Sequence, residues 1–147
     1  MRKALLFLLM AAPCFSHAAE GNCAVIGGSM EQSLFDAIVH DLNIDGATIQ
    51  RDKTIVNVLY MSPVSEAFAH QLAKTDSDSD RKRNGKALLP ESDYFESYYI
   101  NGAKSITARY TFINQHGKRN VFIASSLMNN DECSVRFNGY LTLSRQF

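Results

Sequence analysis

The sequence predicts an α+β domain, an antiparallel sheet of four to five strands with two to three helices packed on one face. Three observations carry this. Apolar residues recur at helical spacing in the first half of the chain, and from Lys104 onward the spacing switches to alternation. The third is size: 147 residues with 46% hydrophobic and 20% charged side chains is ordinary composition for a single domain.

The elements follow in order. Leu34, Phe35, Ile38, Val39 and Leu42 mark an amphipathic helix over 30–43, with Ser29 and Gln32 at capping-box spacing. Asp45-Gly46 is a turn. Residues 47–50 and 54–61 then read as a hairpin around Arg51-Asp52, and the second strand, apolar except near Asn57, reads as interior to the sheet. Ser62-Pro63 supplies an N-cap and a first-turn proline for a second helix carrying Val64, Ala67, Phe68 and Leu72 and ending near Lys74.

Residues 75–86 hold no apolar side chain, which predicts a mobile exposed loop. After Pro90, the spacing of Tyr94, Phe95, Tyr98 and Tyr99 is helical, with Asn101-Gly102 as the stop; a strand is the competing reading. Ile106, Ala108, Tyr110 and Phe112 alternate with polar residues, and turns at His116-Gly117 and 129–131 divide the rest into three strands of a meander. In the last strand, Cys133, Val135, Phe137, Gly139, Leu141 and Leu143 share one face and Ser134, Arg136, Asn138, Tyr140 and Thr142 the other. The opposite face of the sheet is half polar. Phe122, Tyr140 and Tyr110 are placed at a surface that a partner covers, one reason to expect a homodimer.

The chain begins with an export address. Arg2 and Lys3 precede an apolar run from Ala4 to Ala12, Pro13 breaks it, and Ser16-His17-Ala18 offers small residues at a cleavage site. The run is too short to span a bilayer, so residues 1–18 are read as a signal peptide, 19–147 as the mature domain, and the periplasm as its location. Cleavage removes Cys14 and leaves Cys23 and Cys133, which pair in an oxidising compartment; a reactive thiol or an intermolecular bridge is the alternative.

Charge excludes some classes. Lys plus Arg and Asp plus Glu number 15 each, and cleavage makes the balance mildly acidic, so neither nucleic acid nor an anionic bilayer is an expected partner. No nucleophile elbow, zinc motif or Cys-x-x-Cys is present. The chain is therefore expected to bind rather than catalyse, without cofactor or metal. His40 follows Asp36, and His70 follows Glu66, at i,i+4 spacing, but neither has a second catalytic group to work with, and His116 reads as a turn residue. Asp76, Asp78 and Asp80 alternate like the opening of a calcium loop, yet the sixth position is Arg81 instead of glycine and the twelfth is Ala87 instead of glutamate. Gly27-Gly28 before the first helix lacks the lysine and spacing of a phosphate loop.

The densest feature is 91–99, which holds three of the six tyrosines among three carboxylates. Glu91, Asp93, Tyr94, Phe95, Glu96, Tyr98 and Tyr99 are the predicted partner-binding residues, helped by Asp76, Asp78 and Asp80; core packing of the aromatics is the competing account. Carboxylates beside tyrosines suit a basic protein groove. With the signal at 1–18, the Cys23 and Cys133 pair and the mildly acidic α+β body, this layout resembles the small periplasmic immunity proteins that protect bacteria against type VI secretion effectors, in particular Vibrio-type ones paired with peptidoglycan-degrading toxins. The resemblance implies stoichiometric inhibition of a cognate toxin by occlusion of its cleft, often by a dimer. The alternative is a secreted small-ligand-binding domain, for which a deep pocket lined by Tyr60, Phe112 and Phe122 would speak.

Overall fold

The computed structural model describes residues 22–147; the expected signal peptide, residues 1–18, lies outside the described residues. Four antiparallel strands form one sheet in the order β1-β2-β3-β4: β1 Ile55–Pro63, β2 Lys104–Ile113, β3 Arg119–Met128 and β4 Arg136–Ser144. Three helices accompany it: α1 Ser29–Leu42, α2 Glu66–Asn84 and α3 Glu91–Phe95, the last running into a single π-helical turn, Glu96–Ile100. The fold is α+β, as the two periodicities predict.

The core lies between α1 and one sheet face. Met30, Leu34 and Ile38 are fully buried against Tyr110, Phe112 and Phe122, whose rings stack and meet edge to face at centroid distances of 6.3 and 6.1 Å. The Tyr110 hydroxyl donates to the Ala24 carbonyl at 2.8 Å, which fastens the turn Asn22–Ala24 to the sheet. Beside it, Cys23 and Cys133 form a disulfide across a sequence separation of 110, with Cα atoms 5.1 Å apart. Such bonds persist in oxidising compartments. Among the described residues no helix is long and apolar enough to cross a membrane.

Several expectations are corrected. The helices do not share one face. Register places Ile106, Tyr110 and Phe122 toward α1 and Ser105, Leu127 and Arg136 on the reverse, and it is against Leu127 that α2 packs Ala69, Leu72 and Ala73. Residues 47–50 form no strand: Gly46–Thr48 is a 3₁₀ turn, started by the Asp45 carboxylate accepting from the Ala47 N–H, and Ile49 makes one isolated bridge to Asn114. With no hairpin partner, β1 pairs with β2 and becomes an edge strand, mostly exposed. Tyr110 and Phe122 are fully buried, not at a surface, while Tyr140 is half-buried against Phe122. In β4 the inward parity breaks at a register shift opposite Ser125 and Ser126, leaving Asn138 as the extra residue. Phe137 and Tyr140 therefore both turn inward, and Leu141 and Leu143 are exposed.

Helix ends also differ. Gly28, not Ser29, precedes the first turn of α1, and no side chain caps it there; the Glu31 carboxylate instead accepts from the Gly27 N–H at 3.1 Å. Glu31 is fully buried and its charge is answered by Arg51, whose Nε donates to Oε1 at 3.1 Å while the guanidinium lies 4.4 Å from the centre of the Phe35 ring. Pro63 ends β1, and Ser65 caps α2 by accepting from the Phe68 N–H.

Candidate functional site

The largest correction concerns 75–86. Helix α2 continues through Asn84 and stops at Gly85, whose φ of 74° is the left-handed conformation glycine favours. A segment without apolar residues stays helical here because its buried stripe is polar. Ala69, Leu72, Ala73, Ser77 and Asp80 follow three- and four-residue steps, and all are buried. On the outer side Lys74 donates to Asp78 at 2.7 Å, and Arg81, Lys82 and Arg83 complement the C-terminal end of the helix dipole.

That polar stripe receives α3. The Tyr94 hydroxyl donates to Asp80, and the Tyr98 hydroxyl to Asp76 Oδ2 at 2.7 Å. From β4, Arg136 grips the same Asp76 with two donors, at 2.7 and 2.9 Å. The guanidinium holds the Asp76 carboxyl below the usual carboxylate range, against the opposing effect of burial, and Tyr98 lowers it further. Burial, followed by the hydrogen bond to Asp76 and then the charge of that carboxylate, raises the Tyr98 phenol well above its ordinary value. Phe95 stacks on His70 with ring centres 4.0 Å apart, and Tyr99 stands 5.4 Å from Phe95.

The predicted binding residues therefore divide. Tyr98 is buried and Tyr94 and Phe95 are half-buried, all facing α2 or its neighbours, whereas Glu91, Asp93, Glu96 and Tyr99 are exposed. Asp93 and Glu96 line a cleft of about 540 Å³ between the end of α3 and the β3–β4 turn. The opposite wall carries Asp131 and Glu132, and Ile100 and Asn101 line it as well. Asn101 donates to Asp131, and Asn129 accepts from the backbone N–H groups of Asp131 and Glu132 at 3.0 and 2.9 Å. The disulfide at Cys133 follows directly and anchors the turn. Glu96 and Glu132 have no hydrogen-bond partner for their side chains among the described residues. Ile100 is well exposed beside them.

Sequence reading missed this second wall. The 129–131 stretch was legible as a turn, but nothing local brings it to α3. The supporting aspartates are likewise redirected: in a helix, residues two apart do not face the same way, so Asp76 goes to Arg136, Asp78 to Lys74 and Asp80 to Tyr94. Nor do the histidine pairs form as spaced. His40 meets Asp41 at 2.9 Å and not Asp36, which accepts from Gln32, and His70 stacks on Phe95. Phe112 and Phe122 pack against each other inside the core while Tyr60 stands exposed opposite Thr107 on the reverse face, so these three line no common pocket.

The described residues thus form a disulfide-linked α+β domain with an acidic cleft between α3 and the β3–β4 turn. Comparison with family models, with curated proteins and with solved structures finds no match.

Proposed function

We propose that the protein is an exported inhibitor that binds a cognate secreted toxin in the periplasm and occludes it, without catalysing a reaction. The observation carrying this reading is the cleft in which Asp93, Glu96, Asp131 and Glu132 meet beside exposed Ile100. Gathered carboxylates repel one another in the free protein, and a cationic partner relieves that repulsion on docking, which favours both encounter rate and specificity. A groove built to bind the carboxylate-bearing polymer of the cell wall is itself cationic, so a cell-wall hydrolase is the kind of toxin this rim complements.

The test is capture followed by inhibition. Mature protein as bait in the native organism should retain a secreted hydrolase, and one equivalent should abolish its digestion of purified peptidoglycan. A captured enzyme that stays fully active in excess bait, or the absence of any hydrolase among the retained proteins, would overturn the reading.

A further inference from the structure

The four strands carry no Asp or Glu, yet they carry Lys104, Arg109, Arg119 and Arg136. On the sheet face turned away from α1, one half is covered and the other is open. In the covered half α2 lays Ala69, Leu72 and Ala73 against Leu127, and its Asp76 accepts two hydrogen bonds from the Arg136 guanidinium. In the open half the pairing register sets Asn57, Arg109, Ile123 and Leu141 side by side in one row across the sheet, with Ile55 and Tyr60 on the same face of β1. Leu141, Tyr60 and Ile55 are 68, 67 and 47% exposed. Arg109 is exposed among them and makes no ion pair or side-chain hydrogen bond among the described residues.

We infer that this open half is a docking surface for a partner protein, which lays an amphipathic helix across it and brings a carboxylate of that helix to Arg109. The covered half shows the same arrangement within the chain: a helix seats its apolar stripe on the sheet, and an aspartate beside the stripe meets an arginine of a strand. Charge selects the occupant. A guanidinium takes a carboxylate through two parallel hydrogen bonds, and no strand beside Arg109 supplies one, while Ile123, Leu141, Ile55 and Tyr60 offer apolar area for the rest of a helix stripe. A lipid surface calls for several cations close together, whereas on these strands Arg109 is followed only by Arg119, two rows further along. A second copy has no helix to spare, because the apolar stripes of α1 and α2 are already buried. The surface lies apart from the acidic cleft, and the inference does not depend on the proposed inhibitory function.

A selection tests this without any toxin: displayed helical peptides, randomised along one face, are panned on the mature protein. The enriched sequences should include a class with an Asp or Glu set in an apolar stripe. A synthetic peptide of that class should shift the amide resonances of Thr107, Ile123 and Leu141. Arg109→Gln should weaken its binding at least about tenfold, whereas Lys118→Gln, the same loss of charge in the β2–β3 turn, should leave it unchanged. Both side chains are exposed, so both variants should unfold at the parent's urea midpoint. No enrichment, or an acidic class indifferent to Arg109→Gln, would overturn the inference. Enrichment of cationic helices alone would overturn it too, while leaving the acidic cleft and the proposed inhibitory function standing. So would vesicles of phosphatidylglycerol and phosphatidylcholine in equal parts that bind the parent and not Arg109→Gln, a result that assigns the face to lipid.

Discussion

On one face of the sheet α1 presses Met30, Leu34 and Ile38 onto a slab of buried aromatic rings, and the disulfide closes its margin; on the other, α2 makes a thin apolar contact through Leu127 and is held beyond it by Asp76, Asp80, Tyr94, Tyr98 and Arg136. The first region rests chiefly on removing apolar area from water, with one buried carboxylate, Glu31, paired to Arg51 at the start of α1. The second rests on carboxylates whose partners come from three different elements. The acidic cleft, whose one wall is α3, therefore stands on the half of the molecule expected to loosen first in acid.

Breaking the covalent link should have the largest effect. Cys23→Ser combined with Cys133→Ser releases a loop of more than a hundred residues in the unfolded chain and should cost about 4–5 kcal/mol, read from urea unfolding of the oxidised parent and the variant. Within the same region Phe122→Ala removes a fully buried ring and should cost about 3–5 kcal/mol. Its effect should be the same at mildly acidic and neutral pH.

The ionic region should respond in the opposite way. Asp76→Asn keeps the volume but loses the charge that both Arg136 and Tyr98 address, and should cost about 1–2 kcal/mol, less than a fully buried pair because both partners retain some solvent contact. Because folding lowers the Asp76 pKa, its contribution is complete above the unfolded value of about 3.9 and is lost as pH falls through the folded value. Amide exchange in acid should therefore open the second half of α2 and α3 before α1, and Asp76→Asn should make that opening independent of pH over the same range. Opening of both regions together would erase the distinction between them.

The smallest effect on stability belongs to the cleft itself. Asp93→Ala with Glu96→Ala alters only exposed side chains and should shift stability by no more than about 0.5 kcal/mol. Association with the proposed hydrolase partner should nonetheless become slower and depend less on salt. Tyr98→Ala offers a sharp contrast: it should destabilise α3 first and weaken binding only as a consequence.

How far each element was legible depended on the range over which it is decided. Helix α1 and strands β2 and β3 were readable because their periodicities report a buried face directly. The long α2 was not, since its inner stripe changes from Ala69, Leu72 and Ala73 to Ser77 and Asp80, and a count of apolar residues passes over what the three- and four-residue spacing still records. Half of the cleft could be foreseen in Asp93 and Glu96; the other half comes from a turn more than thirty residues onward.

The sequence by itself determined the α+β class, the candidate pairing of Cys23 with Cys133 and the placement of carboxylates and tyrosines in one short stretch, all of them properties of composition or of neighbours along the chain. Only the tertiary structure decided that β1 is an edge, that a bulge turns Tyr140 inward and Leu141 outward, and that Asp76 is used up by an arginine sixty residues away while Glu96 remains without a partner among the described residues. The reason is physical: a repeat pattern states which side of an element must be dry, but which residue satisfies a given charge or backbone group depends on contacts between elements that lie far apart in the chain.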